Sequence, residues 1–159
     1  MKVVKIRFFV FCLILACIIA LPVTKPVFSD KNYDGAITYF YCTELLNANI
    51  EGCSVITNGN GSIISCEYKK SKEIKKLLPK IYGESIRISN YSSGTLNLIL
   101  NKYGNNVVEE QYIGEYKILL CYDSLLPEFI NIDDNMVNIQ IAIKNDEINI
   151  GYPLILNGF

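Results

Sequence analysis

Four cysteines, Cys42, Cys53, Cys66 and Cys121, are the most reactive side chains in the body of this 159-residue sequence, with 10, 12 and 54 residues between them. No Cys-x-x-Cys occurs, which disfavours redox catalysis and a four-cysteine zinc site. In an oxidising compartment four thiols form up to two disulfides in three connectivities. The alternative is that some pack as small buried hydrophobes. The chain has no histidine, which excludes His-dependent triads, zinc hydrolase centres and haem ligation.

The second concentration of chemistry is basic. Lys69, Lys70, Lys72, Lys75, Lys76 and Lys80 crowd into twelve residues. Ile74, Leu77, Leu78 and Ile81 repeat at i, i+3, i+4 and i+7, so the segment reads as a helix with its lysines outside. Lys69, Lys72, Lys75, Lys76 and Lys80 are candidates for docking on an anionic surface; Glu67 and Glu73 dilute the patch. The alternative is an ordinary solvated face.

Other patterns fail on spacing. Asn131-x-Asp133-x-Asn135 opens like a calcium loop, but Met136 occupies the glycine position and Ala142 that of the bidentate glutamate. A hairpin turn at Asp133-Asp134-Asn135 fits better. Gly59-x-Gly61 lacks the Gly-Lys of a phosphate loop. Glu109 and Glu110 are neighbours in a predicted strand and so point to opposite faces. Ser-x-x-Lys is absent. No catalytic residue, metal site or cofactor is therefore expected.

The first 29 residues read as an address. Lys2, Lys5 and Arg7 precede an uncharged apolar run at residues 8–21 closed by Pro22, the length of a signal-peptide core. Val27 and Ser29 suit cleavage before Asp30; an uncut segment would serve as a membrane tether. An acylated Cys17 fits less well, because apolar residues follow it. The expected location is extracytoplasmic. Beyond this leader the chain has 11 basic and 16 acidic residues, a net charge of −5 that argues against nucleic acid as a partner.

Residues 30–35 read as a polar linker, and residues 36–159 as one domain. Strands are expected at 36–42, 53–57 and 62–68, the last two closed by the turn Asn58-Gly59-Asn60-Gly61. A helix capped by Ser71 ends near Leu78 before Pro79, Gly83 closes that segment, and a strand follows at 85–89. A second helix, capped by Ser92 or Ser93, carries Leu96, Ile99, Leu100 and Tyr103 and stops at a left-handed Gly104. Strands at 107–112 and 116–122 pair across Gly114. Segments 129–132, 137–143 and 148–155 form a meander, with Val137, Ile139, Ile141 and Ile143 on one face. The order β-ββ-α-β-α-ββ-βββ makes an α+β domain: a mainly antiparallel sheet with two helices on one face.

The carboxy-terminal half resembles the YwmB-like family. Residues 93–122 carry the resemblance, with Lys102-Tyr103-Gly104, an acidic strand and the run Leu119-Leu120-Cys121-Tyr122-Asp123-Ser124. So do Asn138-x-Gln140-x-Ala142 and the closing Gly151-x-Pro153-x-Ile155. The ending Asn157-Gly158-Phe159 departs from the family's acidic-aromatic close. The resemblance implies a small exported protein of spore-forming bacteria with a TATA-box-binding-protein-like fold. It carries no catalytic residues. A TATA-type reader needs basic residues and phenylalanine wedges on a concave sheet, which an acidic body does not offer.

The expectation is a non-enzymatic exported protein acting through protein or envelope contacts, in sporulation if the resemblance holds. A wall-polymer hydrolase with fold-assembled carboxylates is the enzymatic alternative. A small-ligand module using a tyrosine-bearing sheet face is the third.

Overall fold

The structure, a computed structural model, describes residues 33–44, 50–59 and 61–158. The expected leader, its cleavage position and Cys12 and Cys17 lie outside the described residues. Ten strands and two α-helices follow in the order β1 (Ile37–Cys42), β2 (Cys53–Asn58), β3 (Gly61–Glu67), α1 (Tyr68–Leu77), β4 (Ile81–Ser89), α2 (Ser93–Tyr103), β5 (Val107–Ile113), β6 (Tyr116–Cys121), β7 (Ile130–Ile132), β8 (Asn135–Val137), β9 (Ile139–Ile143) and β10 (Glu147–Tyr152). The fold is α+β. Eight strands form one antiparallel sheet in the order β2-β3-β1-β4-β10-β9-β6-β5, and β7-β8 stand apart as a two-stranded hairpin.

Register sorts the side chains into two faces, because directly opposed residues project the same way. Thr38 lies opposite Cys66 and Ile86, Ile86 opposite Ile150, and Ile150 opposite Ile141. This first face is apolar, and both helices lie on it. Helix α2 sets Ile99 and Tyr103 on Ile86, Ile148, Ile150, Ile141 and Leu119. Helix α1 sets Ile74 on Phe40, Cys42, Ile64 and Cys66. Burying one such side chain stabilises by about 1.5–3 kcal/mol, so this face dominates stability.

The second face is partly covered, with an apolar cluster at its β9-β6 end. There Ile118, Leu120 and Ala142 pack under Ile130, Ile132 and Val137 of the β7-β8 hairpin and under Leu154 and Ile155 of the carboxy-terminal tail. The expected meander is thus corrected. Asn138 interrupts the run at 137–143, its side chain accepting from Asp123 N and donating to Asp123 O, both at 2.8 Å. Val137 consequently joins the second-face cluster, whereas Ile139 and Ile141 stay on the first.

Local chemistry accounts for most boundaries. Ser92 caps α2 by accepting from Thr95 N at 3.1 Å. Asp133 and Asp134 both have positive φ, 45° and 67°, as a two-residue type I′ turn needs. Gly59 and Gly114 have φ of 57° and 59°.

Several boundaries differ from expectation. Helix α1 begins at Tyr68, a turn early, and Ser71 donates to Tyr68 O at 2.6 Å rather than capping. It ends at Leu77 because Pro79 drives Leu78 into extended backbone (ψ 146°). Gly104 has φ −74° and opens a single 3₁₀ turn, so it is no left-handed stop. Gly83 lies inside β4: a Cβ there would sit 2.9 Å from Tyr152 O. Strand β10 ends at Tyr152, where the Tyr152–Pro153 bond is cis. The linker reading of residues 33–35 also gives way. Tyr33 is buried in the core with its ring 5.2 Å from that of Tyr68, edge to face, and Tyr68 N donates to Ala36 O at 2.9 Å.

Candidate functional site

Helix α1 gathers the basic residues, and the fold divides them among three jobs. Lys75 reaches Glu84 Oε2 at 2.6 Å. That carboxylate projects from β4 onto the apolar face opposite Phe40 and Tyr152, and its side chain is 7% exposed. A buried carboxylate without a cation is costly, so Lys75 is structural. Lys69 pairs with exposed Asp34 at 3.2 Å, a contact worth little in water. Lys70 leans over Gly52, with Nζ 2.9 Å from where a Cβ would stand, and it lowers the cost of ionising both Cys53 and Cys66.

Lys72, Lys76 and Lys80 remain, all exposed, with no ion pair to any described residue. Leu77 does not join the buried stripe. It is 69% exposed, and its helical neighbours three and four residues back are buried Ile74 and exposed Glu73. Tyr68, Ser71, Ile74 and Leu78 form the inward side instead. The exposed residues of α1 therefore combine free ammonium groups with Glu73 and one bare leucine.

The four cysteines do not converge. All four are free thiols. Cys53 and Cys66 are opposed in register across β2 and β3 and belong to one apolar cluster. Cys42 is opposed to Ser62 and Ile81, and Cys121 packs under α2. Burial pushes the Cys66 thiol up to about 12 and that of Cys121 to about 11; neither is poised as a nucleophile near neutrality.

The adjacent carboxylates of β5 do not form a facing pair. Glu109 and Glu110 occupy opposite faces of β5: Glu109 accepts from Gln111, while Glu110 holds Lys117 at 2.9 Å and accepts from Tyr112. The Lys117 ammonium and the Tyr112 hydroxyl hold the Glu110 carboxyl below its usual range, and Lys144 does the same for Glu115. A glycosidase's general acid needs the opposite shift. No group of three metal-ligating side chains occurs among the described residues.

The tyrosine-bearing second face is built into the protein's own structure. Residues 153–157 fold back across it. Ile155 N donates to Gln140 Oε1 at 2.9 Å and Leu156 N to Tyr41 Oη at 3.1 Å, and Tyr41 donates to Asn157 Oδ1 at 2.6 Å. The Ser85 hydroxyl joins Tyr41 at 2.6 Å. Gly151 makes this crossing feasible, since a Cβ there would lie 2.3 Å from Leu154 C. Beside it, Arg87 reaches Asn149 and Glu147, Asn149 donates to Glu147 at 2.8 Å, and Arg87 stacks 5.3 Å from the Tyr39 ring centre. This polar network came from strands some sixty residues apart; its sequence trace was the outward Arg87 between Ile86 and Ile88.

The motifs behind the family resemblance thus have structural work. Asn138, Gln140 and Ala142 hold, respectively, the Asp123 loop, the tail and the β7-β8 hairpin on the second face. Comparison with protein-family models, with curated proteins and with solved structures yields no match.

Proposed function

We propose that this chain is a non-enzymatic protein working outside the cytoplasm by contact with the cell envelope, and that the outer face of α1 makes the contact. The observation that carries this reading is the bare Leu77 on the helix that also exposes Lys72 and Lys76, on a body otherwise rich in carboxylates. Basic helix faces with an apolar side chain settle on anionic lipid headgroups, the leucine entering the interfacial layer. The apolar run at residues 8–21 would deliver or tether the chain there. The YwmB-like resemblance is the ground for placing this role in sporulation.

Sedimentation with vesicles tests it. The full chain should bind phosphatidylglycerol vesicles more tightly than phosphatidylcholine ones, and that difference should fall with salt. Two lysines near an anionic surface contribute about 2 kcal/mol together. Charge reversal in Lys72→Glu/Lys76→Glu should therefore remove the difference, while Lys102→Glu on α2 should not. An undiminished preference in the double variant would refute the reading. Retention only on anionic wall polymer would move the contact from lipid to wall.

A further inference from the structure

We propose that Cys53 and Cys66 are a cross-strand pair that closes into a disulfide, and that of the four cysteines of the described domain these two alone do so. The geometry follows from the hairpin. Two residues intervene between Asn58 and Gly61, which are opposed in register, and the pair closing a two-residue loop is hydrogen-bonded. Hydrogen-bonded and non-hydrogen-bonded pairs then alternate along an antiparallel ladder. Five steps down, Cys53 opposite Cys66 is a non-hydrogen-bonded pair.

An independent contact agrees. Cys53 N donates outward to Ile50 O at 3.0 Å rather than across to β3. Opposed Cα atoms at such a site are about 4.5 Å apart with their side chains close, inside the about 4.4–6.8 Å span that disulfides bridge. Both side chains project onto the same face, where Cys53 packs against the cluster that holds Cys66.

The other pairings are too distant. Cys42 is level with Ser62, four residues along β3 from Cys66, or about 13 Å at the rise of a strand. Cys121 lies on β6, five strands from β3, roughly 24 Å at ordinary strand spacing. Cys53 is the more exposed member and sits on the edge strand β2, so it meets an oxidant first. Burial raises both thiols above their ordinary range, and the Lys70 ammonium offsets part of that rise.

With a small-molecule disulfide as oxidant the reaction balances. Cys53 gives its proton to solvent, and its thiolate attacks one sulfur of the oxidant, whose S–S bond breaks to release one thiolate. Cys66, deprotonated in turn, attacks the Cys53 sulfur and displaces the second. Two protein thiols are oxidised to one disulfide, and the oxidant is reduced to two thiols that take up the two protons. The product staples the outer strand β2 to β3.

Full-length protein treated with oxidised glutathione, denatured, alkylated and mapped without reduction gives the test. A peptide joining Cys53 to Cys66 is expected, with Cys42 and Cys121 alkylated. Cys42→Ser should leave the linked peptide intact, and Cys53→Ser should abolish it and leave Cys66 alkylated. Alkylation of both Cys53 and Cys66 after oxidation, a glutathione adduct on Cys53 that never resolves, or a linkage through Cys42 or Cys121 would each overturn the proposal.

Discussion

Lys75 Nζ stands 2.6 Å from Oε2 of Glu84, joining an exposed helix to a carboxylate on the apolar face of the sheet. The pair is half in water at the lysine end, so its energy is smaller than that of a fully buried pair. Lys75→Met leaves Glu84 without its cation and should destabilise by about 1–3 kcal/mol. Lys72→Met, one turn away in solvent, should change stability by less than about 0.5 kcal/mol. Urea unfolding of both variants checks the contrast; equal effects would remove the structural role of Lys75.

Asn138 satisfies both backbone groups of Asp123 from a fully buried position. Asn138→Ala leaves the part-buried N–H and C=O of Asp123 without this partner, each costing up to about 1–3 kcal/mol. A loss of roughly 2–4 kcal/mol is expected, with faster amide exchange at Asp123 measured by NMR. An exchange rate like that of the wild type would show that another group holds that loop.

Gly151→Ala places a methyl group against the backbone of Leu154 and Ile155. Backbone cannot yield cheaply, so the tail must lift from the second face. The expected readout is loss of protection at the Ile155 and Leu156 amides, together with a lower Tm. Retained protection would mean the sheet bends instead.

In the reduced protein, stability should fall in alkali through Cys66. Its thiol ionises near 9.0 when exposed and near 12 in the fold. The folded state therefore holds the proton that the unfolded state releases, so the contribution is complete below pH 9 and is lost as pH rises toward 12. Unfolding free energies at pH 8 and pH 10.5 should show a decline whose slope is shallower in Cys66→Ala. An unchanged slope would assign the decline to other groups.

Periodicity and turn chemistry exposed both helices, the Gly59, Gly114 and Asp133-Asp134 turns and the α+β class, because each depends on residues near in sequence. The misreadings share one physical cause. Gly83 looks like a terminator until Tyr152 from seventy residues away is laid against it. Leu77 fits the helical stripe, but α1 ends there, and Leu78 in extended backbone takes the place on the core. Asn138 passes for an outward strand residue because its partner, Asp123, belongs to another loop. Tyr33, among polar neighbours, gave no sign of the ring it meets on Tyr68. The candidate site was half legible: the lysine cluster was plain, but not which lysine Glu84 would claim.

The strand order has a consequence for how the chain is made. Strand β10, the last in sequence, lies in the middle of the sheet between β4 and β9. Until residues 147–152 emerge from the ribosome, the halves β2-β3-β1-β4 and β9-β6-β5 have no seam, and each leaves an apolar flank bare. The two halves can therefore join through their backbones only once residues 147–152 have been made. A premature stop even slightly before Glu147 would yield two unjoined fragments of a sheet rather than a shortened protein.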